Sequence, residues 1–170
     1  MAHPIQVRQA NPEDAGEVAS ILGEAARWLT ESGTPMWKTH ELDAGVIAAD
    51  VGAGLCFLAE VGGERAGTLK FQLEDELFWP EMPAGQACYL HRLAVRRKFA
   101  GLGVSSALLG FAVERARSLG RPFLRLDCES HRPRLRSLYE RFGFRHHSDR
   151  QVGPYHVARY EYPLASESRT

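Results

Sequence analysis

Arg96 to Ser106 reads RRKFAGLGVSS: three cationic side chains, a phenylalanine and two close-set glycines, placed between an apolar run and a helical pattern. Those residue types in that order can hold phosphate. A helix start leaves amides with no intrahelical partner and adds the positive end of the helix dipole. Gly101 and Gly103 let an oxygen approach the backbone closely, and Arg96, Arg97 and Lys98 offer mobile charge farther out.

Two familiar phosphate motifs fit poorly. A Walker loop is excluded, because no Gly-Lys followed by Ser or Thr occurs. A dinucleotide fingerprint is nearer: GLGVSS almost matches it, and Asp127 ends the next strand-like run where a ribose-binding acid would stand. That fold sets its first glycine hard against the strand, whereas here Arg96 to Ala100 intervene and Ser106 replaces the third glycine. Too little chain follows Asp127 for the strands such a domain still needs.

The segment needs elements to hold it. IQVRQ, Ile5 to Gln9, alternates as a first strand, and Asn11-Pro12-Glu13-Asp14 supplies a cap, a first-turn proline and two acids for a helix that runs to Gly33. A shorter helix is predicted from about His40 to Val51, after the connection TPMWK, whose Trp37 suits a plug over the core. LCFLAEV, a Gly62-Gly63 turn and RAGTLKFQL read as a hairpin, and LFWPEMPAG, Leu77 to Gly85, as a loop. ACYLHRLAV, Ala87 to Val95, is apolar on both faces, as a central strand is. A helix from Val104 to Gly120, the strand RPFLRLD, a helix from Pro133 to Gly143, and the strands FRHH and PYHVARYEYPL complete the order. The predicted fold is α/β: a single mixed, mostly antiparallel central sheet of about seven strands flanked by about four helices. One domain spans 1–170, its core 5–163 and a frayed tail 165–170.

Composition narrows the partners. The 170 residues balance 21 basic against 21 acidic side chains, which leaves no footprint for nucleic acid or for a membrane surface. No apolar stretch approaches the roughly 20 residues of a membrane span, and MAHPIQVRQA lacks a signal-peptide pattern, so a cytoplasmic protein is expected. Cys56, Cys88 and Cys128 read as buried, apolar and reduced. Seven histidines invite a metal reading, but His146 and His147 are neighbours on a strand and point apart, so no metal is expected.

HRLAVRRKFAGLGVSSALL resembles the acyl-CoA loop of the GCN5-related N-acetyltransferases, the GNAT family, and RLRSLYERFGF, Arg134 to Phe144, resembles its second signature, a Tyr in a helix ending in Gly-Phe. The element order is similar from about 5 to 163. The resemblance implies the acyl-CoA N-acyltransferase fold and acetyl-CoA as co-substrate. It gives the backbone of Leu93, Ala94 and Val95 to the pantetheine arm. The amides from Phe99 or Ala100 through Gly101, Leu102, Gly103, Val104 and Ser105 go to the pyrophosphate, with Lys98 beside them. Two positions depart from the family pattern: Lys98 stands where Arg or Gln is usual, and Arg132 where many members carry Asn. Family members often form homodimers.

The resemblance implies acetyl transfer to a primary amine by direct attack. An alkyl ammonium with a pKa of about 10.4 is deprotonated in only about one part in a thousand at neutral pH, so a base helps. His91, whose unperturbed pKa is about 6.5, suits that task, and its place before Ala94-Val95 resembles a histidine of the arylalkylamine N-acetyltransferases, with Tyr89 at the place of a second. A packed histidine bonded to backbone is the competing reading. Glu81, Asp127 and Glu129 are further candidate bases. Tyr139 aligns with the family Tyr and suits the acid that meets the departing thiolate. Met36, Trp37, Phe78 and Trp79 could wall an acceptor pocket, with Glu74, Asp75, Glu76 and Glu81 drawing in a cation; a solvated acidic loop over core aromatics is the alternative. The expected acceptor is a small-molecule amine, ahead of a protein N-terminus or lysine. A non-catalytic acyl-CoA-binding sensor or regulatory module is the alternative function.

Overall fold

A computed structural model describes residues 3–164. Their elements are β1 (Ile5–Gln9), α1 (Ala15–Glu31), α2 (Ala44–Gly52), β2 (Cys56–Val61), β3 (Glu64–Gln72), β4 (Ala87–Val95), α3 (Val104–Ser118), β5 (Phe123–Glu129), α4 (Pro133–Phe142), β6 (Arg145–Val152) and β7 (Tyr155–Pro163). One seven-stranded sheet runs in the order β1-β2-β3-β4-β5-β7-β6. β4 and β5 are parallel, while β1 with β2, β2 with β3, β5 with β7 and β6 with β7 are antiparallel. The mixed sheet and four helices are those expected from the sequence. The tail expected to fray lies outside the described residues. The chain packs as two compact units, residues 3–70 with 92–110 and residues 71–91 with 111–164.

In the first unit, Val18, Ile21 and Leu22 of α1 meet Ile47 and Val51 of α2 over Leu58 and Ala94, and Trp37 packs against that cluster. The helical spacing of the α1 residues is what brings them to one face. The expected second helix is interrupted: Thr39–Leu42 is a 3-10 turn, and Asp43, whose carboxylate accepts from the Gly45 amide at 2.8 Å, caps a separate α2. Gly67 on β3 permits the close packing of α3. A Cβ there would lie 2.9 Å from the Ala94 carbonyl oxygen, 3.0 Å from Val104 and 3.1 Å from Leu108, distances that packed atoms do not tolerate.

Asp14 ties β1 to the entry of α1. It accepts from the Asn11 amide at 2.8 Å and from Arg8 Nη1 at 2.7 Å. The Arg8 hydrogen bond, helped by Asn11 and by the Arg8 and Arg65 charges, outweighs the upward push of burial and holds this carboxyl down at about 2. A depressed carboxyl stabilises the fold above its unfolded pKa of about 3.9 and loses that contribution as pH falls through the folded value. Asp14→Asn is therefore expected to lower stability at pH 7 by about 1–2 kcal/mol, allowing for solvent screening at half-exposed Arg8. Thermal melts of the two proteins should converge as pH drops from about 4 to about 2.

In the second unit, Trp79 packs with Ala87 and Tyr89, and Phe78, Met82 and Phe123 close around them. The Arg125 and Arg159 guanidiniums lie 5.2 and 4.5 Å from the Trp79 ring, so the indole satisfies two cations that the fold has buried. Arg125 also bonds Glu161, Gln86 and the Tyr89 hydroxyl. Among the expected strands, FRHH is too short: β6 continues to Val152 because it hairpins onto β7 through Gly153, which takes φ 54°.

Candidate active site

The segment between β4 and α3 is built on glycine geometry. Gly101 and Gly103 take φ 77° and 87°, left-handed values that cost other residues about 1–2 kcal/mol. Nothing lies within 4 Å of the position a Gly101 Cβ would occupy, and near that of Gly103 only Ile5 comes within 3.9 Å. The turn thus opens a bare stretch of backbone. Buried Phe99 anchors it from below. The Ala107 amide bonds the Gly103 carbonyl oxygen, so the amides from Gly103 to Ser106 precede the first helical acceptor and stand at the positive end of α3.

Not every amide in the expected cradle has this freedom. Those of Phe99, Ala100 and Leu102 donate to the carbonyls of Arg96, Arg97 and Phe99. Gly101, Gly103, Val104 and Ser105 are left as the better donors. The cations also differ from expectation. Arg96 is fixed by Glu17, Ser20, Glu24 and the Arg65 carbonyl, and Arg97 lies 3.9 Å from the Trp28 ring while its amide donates to Glu24. Both brace the turn against α1. Lys98, paired with Glu64 at the surface, keeps a side chain that is 63% exposed and can swing to a ligand.

β4 itself is irregular where the family would seat the pantetheine arm. Its parallel ladder with β5 ends at the pair Leu90 and Leu126, and Arg92, two residues on, takes φ 54°, a strained value for a non-glycine residue. Leu93, Ala94 and Val95 follow that kink. Arg92 and Lys70 both bond Asp50, at 3.2 and 3.0 Å, which fixes the kinked residue to α2.

In the second unit, the His91 Nε2–H donates to Asp75 Oδ2 at 2.8 Å. Asp75 is 6% exposed at its side chain and His91 19%, so the pair is sheltered yet reachable. Burial pushes the Asp75 carboxyl up, but the His91 hydrogen bond and charge, with the amides of Phe78 and Leu77, prevail and hold it below the usual range. Phe78 stands 5.8 Å from the imidazole, centroid to centroid. Asp127 completes a group in which one carboxylate oxygen or ring nitrogen from each of Asp75, His91 and Asp127 lies within 4.8 Å of the others. Its Oδ1 is buried without a hydrogen-bond partner. Burial above all, with Asp75 adding and His91 and Arg159 opposing, lifts its carboxyl to about 6.

Tyr139 reaches the same region from α4. Burial first, and then the charges of Cys128 and Asp127, raise its phenol above the ordinary range, so it holds its proton at neutral pH. Cys56, Cys88 and Cys128 are free and buried, as expected, and burial pushes Cys128 up to about 12 and Cys56 to about 11. A thiol in that state is no nucleophile at pH 7.

Several expected participants are occupied elsewhere. The Tyr89 hydroxyl accepts from Arg125, Glu129 pairs with His131 and Arg132, and Glu81 pairs with Arg150 and Arg159. Glu74 accepts from the Gly85 amide and Arg121. Trp79 is core and not pocket wall. His146 and His147 have separate contacts, the first with Asp149 and the second with Ser148 and the Trp79 ring. Arg132 is buried at the start of α4 and provides no side-chain cap, leaving Pro133 to open the helix. The pairing of Asp75 with His91 is what the sequence reading missed. Its local signal was an Asp whose carboxylate caps the Phe78 amide at 3.0 Å three residues on.

Comparisons agree with this architecture. Residues 22–144 match the acetyltransferase (GNAT) family, a segment that runs through both units. The chain is 29% identical over 138 residues to "Uncharacterized N-acetyltransferase YesJ" of Bacillus subtilis, covering 78% of this chain and 77% of that protein. A GNAT-family acetyltransferase of Listeria monocytogenes, solved by crystallography, is 28% identical with a TM-score of 0.80 over 94% of this chain and 95% of its own. The fold is shared more distantly with yncA of Salmonella typhimurium, solved with its cofactor acetyl-CoA, at 17% identity and a TM-score of 0.73 over 98% of each chain. The sheet order, the glycine turn that opens α3 and the match over most of the sequence make this chain a member of the acetyltransferase (GNAT) family.

Proposed function

We propose that the protein transfers acetyl from acetyl-CoA to a primary amine on a small molecule, by direct attack of the amine. The observation that carries this reading is the glycine turn before α3, where Gly101 and Gly103 hold backbone that no side chain covers and amides that no helical carbonyl takes. Such a turn fits a pyrophosphate: the anion would meet the amides of Gly101, Gly103, Val104 and Ser105 and the mobile charge of Lys98. Acetyl-CoA, when bound, supplies the thioester whose acetyl carbon the amine attacks.

The chain's own groups supply the proton chemistry. Asp75 orients the His91 imidazole and stabilises the cation formed when His91 accepts a proton from the attacking nitrogen. Tyr139, kept protonated by burial, gives the departing sulfur its proton. Trp28-braced Arg97 and Glu24-braced Arg96 hold the turn and take no part in proton transfer.

A panel of primary amines incubated with acetyl-CoA, with free thiol as the readout, tests the reading. Some amine is expected to raise thiol release well above the rate without acceptor, and Tyr139→Phe is expected to lower kcat about 10²-fold with the melting temperature little changed. A flat panel beside intact acetyl-CoA binding would instead mark a non-catalytic acyl-CoA-binding module. Among the described residues no helix is long and apolar enough to cross a membrane, and the reading places the enzyme in the cytoplasm with no metal.

A further inference from the structure

We infer that Lys70 and Arg92 form an anion-binding subsite, so that the acceptor is an amine that also carries a carboxylate. The inference rests on the reading of the protein as an amine acetyltransferase and adds a second recognised group to the acceptor.

Two cations share one oxygen here. Lys70 Nζ on β3 lies 3.0 Å, and Arg92 Nη1 on β4 3.2 Å, from Asp50 Oδ2 of α2. Their side chains are 16% and 19% exposed, and among the described residues neither makes another side-chain hydrogen bond or ion pair. Sheltered cations elsewhere in the chain are better matched: Arg96 has both Glu17 and Glu24, and Arg125 has Glu161. The carbonyls that end α2 do not make up the difference, because those of Ala49, Asp50 and Val51 accept from the amides of Ala53, Leu55 and Gly54. Cys56 beside the cluster stays a neutral thiol, pushed up to about 11 by burial first and then by Asp50. A clasp that merely ties α2 to the sheet needs one cation for one carboxylate. The second is surplus, and a sheltered charge without a partner is costly.

The donors left over suit a carboxylate. Arg92 bonds Asp50 through Nη1, which leaves Nε and Nη2 along one edge of the guanidinium, and a carboxylate meets such an edge through two parallel bonds. A cavity of about 10 Å³, room for one water-sized group, opens among Asp50, Lys70 and Arg92, with Val18, Leu22 and Ile47 on its apolar side. A carboxylate oxygen placed there meets both cations in surroundings that strengthen the attraction. Arg92 is also the one non-glycine residue among those described with a positive φ, 54°. Such a conformation persists where the surroundings over-determine it, and positions of this kind gather at ligand sites. Along β4, Arg92 directly follows His91, the proposed base.

The test compares amino acids with their own primary amides as acceptors: 3-aminopropanoate, 4-aminobutanoate and phenylalanine against 3-aminopropanamide, 4-aminobutanamide and phenylalaninamide. Thiol release from acetyl-CoA is the readout. With wild-type protein at least one acid is expected to exceed its amide in kcat/KM by about 10-fold or more. Lys70→Met and Arg92→Gln are each expected to bring that ratio to within about threefold of one, and Lys70→Arg to keep most of it. Both members of a pair are measured in the same protein, so a general loss of activity or stability cancels from the ratio. Lys70→Met keeps the pairing of Arg92 with Asp50 and should bind acetyl-CoA unchanged by calorimetry. A wild-type preference for the amides, no preference, or a preference for the acids that either variant leaves standing would overturn the inference while leaving the acetyltransferase reading intact. Silence of every amine, acid or amide, with wild-type protein that binds acetyl-CoA would sink the acetyltransferase reading itself, and this inference with it.

Discussion

His91→Ala is expected to lower kcat/KM about 10³-fold while acetyl-CoA binds as in the wild type. The loss should fall on the amine half of the reaction, because the bare amides that suit pyrophosphate belong to the turn before α3 and not to His91. Asp75→Asn is expected to cost less, about 10–10²-fold: an amide can still hold the ring through a hydrogen bond, but it does not stabilise the imidazolium. Because the two side chains act as a unit at 2.8 Å, the double variant should be scarcely slower than His91→Ala alone. Additive losses in that double-mutant cycle would mean that Asp75 serves the fold and not the imidazole. Steady-state kinetics with a productive amine, alongside melting temperatures, separates the two.

Gly103→Val is expected to weaken acetyl-CoA binding about 10²-fold or more with a melting temperature only a few degrees lower. The backbone at 87° must move when a β-branched side chain is added, at a cost of about 1–2 kcal/mol or more. In a chain of 170 residues each kcal/mol shifts the midpoint by about 2–4 °C. The interior does not object, because Ile5 at 3.9 Å is the sole atom within range of the new Cβ. The damage falls on the amide array, where a side chain and a rotated peptide replace bare backbone. Gly101→Ala should behave similarly and more mildly. Calorimetry with acetyl-CoA checks both, and unchanged affinity in a cooperatively folded variant would remove the turn from the binding site.

The order of strands and helices could be read from local signals because each was strong on its own: an Asn-Pro cap before α1, glycine stops after α1, α3 and α4, and an apolar run at β4. β6 was truncated in that reading because RHHSDRQV has no apolar face. It exists as a strand through its hairpin with β7, a tertiary pairing that propensity does not encode. The break before α2 was carried by one capping aspartate, Asp43, inside an otherwise helical pattern.

Candidate site residues divide along the same line. Gly101 and Gly103 were legible, since glycine spacing alone implies left-handed backbone at a helix start. The fates of the neighbouring cations were not: Arg96 finds Glu17 and Glu24 some seventy residues away, a choice that only the packing of α1 makes. His91 carried its own chemical signal, but Asp75 is 16 residues distant and looked like one of several acids on a polar loop. Only the folded loop distinguishes it from Glu74 and Glu81, which are bound to arginines.

Titration of acetyl-CoA into the protein by calorimetry bears most directly on the account. Saturable one-to-one binding, lost in Gly103→Val and retained in His91→Ala and Asp127→Asn, is the expected result. Absence of heat with folded wild-type protein, or affinity that the glycine substitution leaves untouched, would contradict it.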